Sequence, residues 1–202
     1  MKFIDLTHTF TQSMFFYSEH PVPELVQIAD FDKQGYIDHQ IKTSMHVGTH
    51  IDAPFHMLKD GKRLSQISID KFFGIGHLID ARGKKEIEVD LLDNHLIEKG
   101  DIVFILTGFY KKFGHEDYFR KHPGVSYDFT LKIIDLGVKI FGLDTPGPDS
   151  KIHKLLFEHE ILIIENLTNL ESLLGISQFE VFALPPKFDT EAAPVRVIAR
   201  IV

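Results

Sequence analysis

Two short runs of apolar residues constrain the fold of this chain more than any other feature. Ile102-Val103-Phe104-Ile105-Leu106 and Ile161-Leu162-Ile163-Ile164 contain no polar side chain. A strand with one face in water alternates apolar and polar residues, so continuous runs of this length indicate strands that are buried on both faces. Such strands are typical of an α/β protein.

The rest of the pattern adds more strands and a few short helices. Strands are predicted at Lys2–Leu6, Leu25–Phe31, Ile37–Met45, Gly76–Asp80, Asp101–Thr107, Ile161–Glu165, Phe179–Leu184 and Val195–Val202. Helices are predicted at Ser68–Phe73, Asp90–Lys99, Tyr127–Leu136 and Lys151–Glu158. No repeat or long linker interrupts the 202 residues. We therefore expect a single α/β domain over residues 1–202, with a mixed sheet that curls toward a barrel and is flanked by short helices.

Charge and composition exclude several classes of partner. Lys plus Arg is 22 and Asp plus Glu is 29, which gives a formal net charge of −7. An acidic chain argues against nucleic acid or an anionic membrane as the main partner. The chain has no cysteine and therefore no disulfide framework. Because the N-terminal residues do not resemble a signal peptide and no apolar run is long enough for a membrane helix, we expect a cytoplasmic protein.

The densest group of chemically active residues is the segment Met45-His46-Val47-Gly48-Thr49-His50-Ile51-Asp52-Ala53-Pro54-Phe55-His56. Histidine nitrogen and carboxylate oxygen are common ligands of divalent transition metals in hydrolytic enzymes. On a straight strand, positions 46 and 50 would be about 13 Å apart, at roughly 3.3 Å per residue. We therefore predict a bend, which Gly48 permits and which Pro54 supports by ending strand pairing.

A second cluster lies downstream, where the turn-rich residues 144–150 lead into a short helix and an apolar strand ends in a carboxylate. His153 lies on this helix and Glu165 at the end of the strand. In α/β proteins functional groups are often mounted at such strand ends. The alternative is a helix-surface histidine and a solvated strand end, and the local sequence alone slightly favours it.

Several ordered motifs resemble the cyclase family of metal-dependent hydrolases, which includes bacterial kynurenine formamidase and isatin hydrolase. The segment from His46 to His56 matches that family's His-x-Gly-Thr-His-x-Asp-x-Pro-x-His signature. The other elements that look like family elements are Asp5-Leu6-Thr7-His8, Thr107-Gly108-Phe109, His122-Pro123-Gly124-Val125-Ser126, Gly142-Leu143-Asp144-Thr145, Glu165-Asn166-Leu167-Thr168-Asn169-Leu170 and Ala193-Pro194-Val195-Arg196.

The resemblance implies one or two divalent ions, zinc or manganese. The first ion would be held by His46, His50 and Asp52. The second would be held by Asp52, His153 and Glu165, with Asp52 and Glu165 able to bridge the two. The implied catalytic residues are His56, as the group that transfers protons, and Glu165. The family also implies assembly as a homodimer or homotetramer.

One segment departs from the family. Members with formamidase activity resemble one another in a Trp-Pro-Gly-Asp stretch near the N-terminus that helps to form the substrate pocket. This chain has Tyr17-Ser18-Glu19-His20 there. Tyr17 could still stack on an aromatic substrate, and it is the candidate substrate-binding residue.

Three functions follow as hypotheses. The first is metal-dependent hydrolysis of the carbon–nitrogen bond of a small amide, in particular an aryl formamide. The second keeps the metal but opens a cyclic amide or lactone, or catalyses a cyclisation. The third is a metal-binding module without catalysis. A serine hydrolase is disfavoured because no Gly-x-Ser-x-Gly elbow is present.

Overall fold

Strands dominate the computed structural model, which describes residues 1–201. The strands are β1 (Lys2–Asp5), β2 (Glu24–Ala29), β3 (Asp38–Lys42), β4 (His50–Asp52), β5 (Phe73–Asp80), β6 (Glu86–Ile87), β7 (Ile102–Leu106), β8 (Gly124–Val125), β9 (Ile140–Leu143), β10 (Leu162–Glu165), β11 (Phe179–Leu184), β12 (Ala192–Pro194) and β13 (Arg196–Ile201). The α-helices are α1 (Phe31–Gln34), α2 (Tyr127–Asp135) and α3 (Ser150–Glu158). Short 3-10 turns are found at Pro54–His56, Leu64–Gln66, Ile69–Phe72, Val89–Leu92, Phe109–Lys112 and Leu170–Leu173.

Nine of these strands form one mixed sheet in the order β1-β13-β11-β5-β7-β9-β10-β4-β12. The four central strands β5, β7, β9 and β10 run parallel, and the flanking strands pair antiparallel. The sheet curls into a half-barrel with few short helices. This confirms the predicted α/β class and the mixed, curled sheet. Because the central strands are parallel, their carboxyl ends all lie at one edge.

Strand β7 is buried on both faces, as its apolar run predicts. Ile102, Phe104 and Leu106 belong to the core on the face away from the helices. Val103 and Ile105 belong to the second core, which includes side chains of α2 and α3. Full burial of each such side chain contributes about 1.5–3 kcal/mol.

Helix α3 begins at an aspartate cap and buries one face. The Asp149 side chain accepts hydrogen bonds from the amides of Lys151 and Ile152, which satisfies two of the unpaired donors of the first turn. Ile152, Leu156 and Phe157 are buried against the sheet. This packing turns His153 inward as well, and its side chain is only 7% exposed. The alternative of a helix-surface histidine is therefore excluded.

Two predicted helices are wrong. Where a helix was predicted at Asp90–Lys99, the chain has only the 3-10 turn Val89–Leu92, followed by irregular chain. Leu92 and Ile97 are buried but Leu96 is 92% exposed, so the apolar residues form no continuous stripe that packing could stabilise. Ser68–Phe73 is reduced to a single 3-10 turn, Ile69–Phe72.

Three strands of the main sheet were not predicted from the sequence. Strands β4 and β12 have three residues each, which is too short for a recognisable alternation. Strand β9 contains Gly142, where a side chain would press against the Phe104 ring. The predicted strand Leu25–Phe31 ends at Ala29 and gives way to α1, which Asp30 caps. The last residue of the predicted strand Val195–Val202 lies outside the described residues.

Within residues 1–201, no helix combines the length and the apolar character that crossing a bilayer requires.

Candidate metal centre

Strand β4 brings three of the predicted ligands together by pairing with β10. Their antiparallel register sets His50 opposite Glu165 and Asp52 opposite Ile163. Directly opposed residues share a face of the sheet, and so do residues two positions apart on one strand. His50, Asp52 and Glu165 therefore project from the same face, and all three are buried.

The chain bends before β4, as the sequence predicts. Gly48 has a φ of +69°, and a Cβ at this position would overlap a methionine side chain. The bend brings the rings of His46 and His50 to a centroid separation of 5.1 Å. Pro54 then opens the 3-10 turn that carries His56. Gly48 and Pro54 therefore let the histidines of the segment converge.

Helix α3 adds His153 to the cluster from the other side. His153 Nε2 lies 3.0 Å from Glu165 Oε1 and 3.8 Å from Asp52 Oδ2. His50 Nε2 lies 3.4 Å from Glu165 Oε2 and 3.5 Å from Asp52 Oδ1. Two ligand atoms bound at about 2.1 Å to a tetrahedral ion are about 3.4 Å apart. The spacing of His50, Asp52 and Glu165 fits three ligands of one divalent ion, and His153 lies beside two of them.

Four polar atoms of this cluster are buried without a hydrogen-bond partner in the described chain: His50 Nε2, His153 Nε2, Asp52 Oδ1 and Asp52 Oδ2. The other ring nitrogens are bound, because His50 Nδ1 donates to the Gly48 carbonyl at 2.8 Å and His153 Nδ1 donates to the Pro148 carbonyl at 2.9 Å. Backbone anchors of this kind fix metal-binding imidazoles in position. The Nε2 atoms of these imidazoles lie 3.0–3.8 Å from carboxylate oxygens of the cluster but are not aligned for hydrogen bonds, and lone pairs directed at a shared cation fit this arrangement.

The loop before α3 leaves room for the cluster. Gly147 has a φ of +94°, and a Cβ there would overlap Glu165 Oε1 and lie 3.1 Å from His153 Cε1. Any side chain at this position would displace two candidate ligands. The glycine of the turn-rich segment is therefore required by the site as well as by the turn.

Opposite charges control the protonation of the cluster. Burial disfavours the charged form of every member, but Asp52 and Glu165 outweigh it and raise the pKa of His50 to about 9 and that of His153 to about 10. These imidazoles in turn hold the pKa of Asp52 well below its usual range and also lower the pKa of Glu165. The carboxylates are thus ionised at neutral pH, and a cation that binds them must displace protons from both imidazoles.

His46 and His56 form a second group of possible ligands with Asp52. His46 Nδ1 is 3.1 Å from Asp52 Oδ1, and the rings of His46 and His56 are 4.3 Å apart. His46, Asp52 and His56 each offer one ligand atom within 4.8 Å of the others, as do His50, Asp52 and Glu165. The two groups share Asp52, so the arrangement has room for one ion or two. The predicted role of His56 in proton transfer stays a prediction.

Glu191 is a site residue that sequence reasoning missed. Its Oε1 lies 3.4 Å from His46 Nε2, and its carbonyl accepts a hydrogen bond from the Ala53 amide at 2.8 Å. The pairing of β12 with β4 brings it there from the far end of the chain. No motif marks this residue. The nearby Ala193-Pro194 resemblance was the only available signal.

Asn166 and Tyr118 form a supporting network that the sequence did not reveal. Asn166 Nδ2 donates to the Gly48 carbonyl at 2.9 Å, the acceptor that also binds His50. Tyr118 is fully buried and its hydroxyl donates to Asn166 Oδ1 at 2.9 Å. Thr49 Oγ1 donates to the Asn166 carbonyl at 2.7 Å. These bonds tie the bend at Gly48 to the end of β10 and hold the His50 ring in place.

A cavity of about 530 Å³ lies over the cluster. Tyr17 lines it, with its ring edge-on to His20 at 5.6 Å and to Phe119 at 5.3 Å. The structure therefore places the candidate substrate-binding residue in the wall of the cavity, and its contact with substrate stays a prediction. His46, His56, His153 and Glu165 also line the cavity.

His20 was not singled out by the sequence, although it stands in the segment that departs from the family pattern. Its ring lies 6.2 Å from that of His46, and its Nδ1 is buried without a partner among the described residues. Burial, followed by the nearby His46 and His50, lowers the pKa of His20. It therefore adds a neutral imidazole to the cavity wall.

Comparison with known proteins gives consistent matches. The family model Cyclase, described as "Putative cyclase", matches residues 4–150. The uncharacterized protein MJ0783 of Methanocaldococcus jannaschii is 35% identical over 203 residues, which cover 98% of this chain and 99% of that protein. The kynurenine formamidase of Bacillus mycoides is 29% identical over 168 residues, with 80% and 78% covered.

A solved structure extends the match beyond residue 150. It is described as a potential metal-dependent hydrolase with cyclase activity, is 25% identical, and has a TM-score of 0.83 over 100% of this chain and 98% of its own. Its similarity therefore includes α3 and β10, the elements that carry His153 and Glu165.

Proposed function

The chain belongs to the cyclase family, and on that premise we propose that it is a metal-dependent hydrolase of small amides, in particular of a formamide carried by an aromatic amine. The observation that carries the proposal is the set of buried, unpartnered nitrogen and oxygen atoms below an accessible cavity. The similarity to a kynurenine formamidase supports the choice of substrate class.

The residues present fit a divalent ion, either zinc or manganese. His50, Asp52, His153 and Glu165 would hold one ion, and His46 with Asp52 offers ligands for a second. Mixed nitrogen and oxygen ligands suit both metals. When bound, the ion supplies Lewis-acid polarisation of the amide carbonyl and lowers the pKa of a water molecule.

The position and the pKa of His56 support a role in proton transfer. It lines the cavity, and its ring is 5.9 Å from that of His153. Burial lowers its pKa, although Asp52 acts in the opposite direction. The imidazole is therefore neutral at pH 7, and it can accept a proton from water and donate it to the leaving nitrogen.

The cavity walls orient the substrate. A volume of about 530 Å³ suits a small molecule, and the rings of Tyr17 and Phe119 offer apolar surface for an aryl group. A closed structural metal site would need neither a cavity nor aromatic walls. These features support an enzyme over a metal-binding module without catalysis.

Assembly as a homodimer or homotetramer is part of the proposal. The β2–β3 hairpin exposes Val26, Ile28 and Ile41, which are 44%, 55% and 54% accessible. By the register of the hairpin Val26 and Ile28 lie on one face and Ile41 on the other, so both faces offer apolar side chains for contact with a second copy. Sedimentation equilibrium tests this part, because a monomer at micromolar concentration would contradict it.

Hydrolysis assays test the proposed reaction. Purified protein loaded with zinc or manganese is offered N-formylkynurenine, formanilide, isatin and a simple lactone. We expect formamide hydrolysis, its loss in Asp52→Ala, and its retention in Asp93→Ala, which removes an exposed carboxylate outside the cavity. Faster opening of isatin or the lactone would favour the cyclic-substrate alternative. No hydrolysis of any of these would contradict the proposal.

A further inference from the structure

A second cavity, of about 620 Å³, is lined by a concentration of positive charge. It will be called the lysine pocket, and its basic residues are Lys84, Lys85, Lys111, Lys112, Lys121 and His122. Among residues 1–201, no aspartate or glutamate lines it. In a chain with a net charge of −7, this local excess of cations is the opposite of the average surface.

Only part of this charge is neutralised within the protein. Lys111 pairs with Glu171 at 2.7 Å and Lys121 pairs with Asp117 at 2.8 Å. Lys84, Lys85 and Lys112 form no ion pair within the described chain, and the Lys112 ammonium lies 4.9 Å from the centre of the Phe109 ring. Three lysines are thus available to an external anion.

The position of the lysine pocket connects it with the metal centre. Lys84 and Lys85 follow β5, and Lys111 and Lys112 follow β7, so the pocket lies at the carboxyl edge of two parallel strands. The end of β10, which carries Glu165, lies at the same edge. Ligands of open α/β sheets bind at this edge.

His122 borders both cavities. It lines the lysine pocket and also the cavity over the metal centre. The next residue, Pro123, lines the lysine pocket, and Gly124 lines the cavity over the metal centre. A ligand that spans His122 would therefore place one end among the lysines and the other among His153 and Glu165. A negative charge at the end of the ligand that lies among the lysines would fix the orientation of the ligand.

We propose that the lysine pocket binds the carboxylate or phosphate group of the molecule whose amide reaches the metal centre. This inference rests on the proposed function for the role of the amide end. Lysine ammonium groups bind such oxyanions by charge-assisted hydrogen bonds, which are about twice as strong as neutral ones. The preferred substrates are therefore anionic amides rather than neutral ones.

Hydroxamates test this without requiring turnover, because they bind metal ions but are not the amide substrate. Their binding to zinc-loaded protein is measured by calorimetry, with chains of several lengths that end in a methyl, carboxylate or phosphate group. We expect the anionic ligands of the best length to bind about tenfold more tightly than the methyl ligand, from one or two charge-assisted hydrogen bonds. The ratio of carboxylate to phosphate affinity identifies the preferred group.

Two double variants locate the effect. Lys84→Glu/Lys85→Glu should abolish the anionic advantage. Lys2→Glu/Lys187→Glu, which changes the net charge equally at exposed lysines outside both cavities, should retain it. Raising the salt concentration should reduce the advantage, since exposed charges are screened. Thermal melting confirms that both variants are folded.

The outcomes separate the inference from its premise. Two results would overturn the proposed role of the lysine pocket in binding an oxyanion. One is equal affinity for methyl and anionic hydroxamates, and the other is a higher affinity for anionic hydroxamates that persists in Lys84→Glu/Lys85→Glu. No binding of any hydroxamate overturns both the inference and the metal centre. An anionic advantage together with failure to hydrolyse every amide, anionic ones included, supports the oxyanion site and contradicts the proposed reaction.

Discussion

The main sheet has two places where a histidine with little exposure lies beside a carboxylate, and they differ in how the polar atoms are paired. His77 on β5 and Asp101 form a closed pair, with Nε2 and Oδ2 2.7 Å apart. Asp101 Oδ2 also accepts the Glu98 amide at 2.9 Å. In the metal centre, by contrast, His50 Nε2 and both Asp52 carboxylate oxygens are buried with no hydrogen-bond partner.

Residue type and burial do not by themselves identify a ligand site. Both places combine imidazole with carboxylate in a largely buried setting. Buried polar groups in folded proteins are nearly always hydrogen-bonded, so unpaired groups that converge on one point need an explanation. A cation explains them in the metal centre. The His77–Asp101 pair needs none, because its atoms satisfy each other.

The largest expected effect comes from removing the carboxylate that both ligand groups share. Asp52→Ala should reduce metal content to a trace and lower turnover at least about 10³-fold, more than the 10–100-fold typical of outer-sphere changes. Plasma mass spectrometry gives the metal content, and a formamide assay gives turnover. Asp101→Ala is the matched control and should keep its metal. Equal metal loss in the two variants would remove the distinction between the sites.

Replacing His56 separates metal binding from proton transfer. His56→Ala should keep its metal, because His50, Asp52, His153 and Glu165 remain, but kcat should fall about 10²-fold or more, as for a lost general acid–base group. Steady-state kinetics with parallel metal analysis measures both. Normal kcat in this variant would exclude His56 from the reaction, and loss of metal would make it a ligand.

Metal affinity should rise with pH. The pKa values of His50 and His153, raised to about 9 and about 10, mean that both imidazoles carry a proton at neutral pH without a cation. Only the neutral imidazole binds a metal, so binding at pH 7 should release roughly two protons, and affinity should increase up to about 100-fold per pH unit. Calorimetry in buffers of different ionisation enthalpy counts these protons. A pH-independent affinity between pH 6.5 and 8.5 would contradict this charge balance.

The smallest functional effect is expected at the closed pair. His77→Ala leaves Asp101 without its imidazole and should lower the free energy of unfolding by about 1–3 kcal/mol. Metal content and kcat should not change. Urea denaturation measures the stability, with the wild type and Leu96→Ala, an exposed apolar site, as references. A loss of metal from this variant would show that the two sites are coupled.

The fold was predictable where a segment carries its own signal. The apolar run of β7 and the helix carrying His153 are encoded locally, by continuous hydrophobicity and by the Asp149 cap with its buried face. The hydrophobic pattern did not predict elements whose formation depends on contacts with distant parts of the chain. Strands β4 and β12 have only three residues each, and they form because β4 pairs with β10 and β12 pairs with β4. The predicted helix Asp90–Lys99 does not form because Leu96 is exposed, so its apolar residues make no continuous face that could pack.

The candidate site divides in the same way. His46, His50, Asp52 and His56 lie within eleven residues, and their density and the intervening Gly48 predicted both the chemistry and the bend. The local sequence around His153 and Glu165 did not favour a site, and only the family resemblance included them. Glu191 reaches His46, and His20 reaches the cavity, through long-range packing that no local pattern encodes.

Anomalous X-ray scattering from crystals soaked in zinc or manganese shows directly whether the buried histidine and carboxylate cluster holds an ion. We expect a strong metal peak bounded by His50, Asp52, His153 and Glu165, and no peak at the His77–Asp101 pair. An absence of metal at the four-residue cluster, or equal peaks at both places, would contradict this expectation.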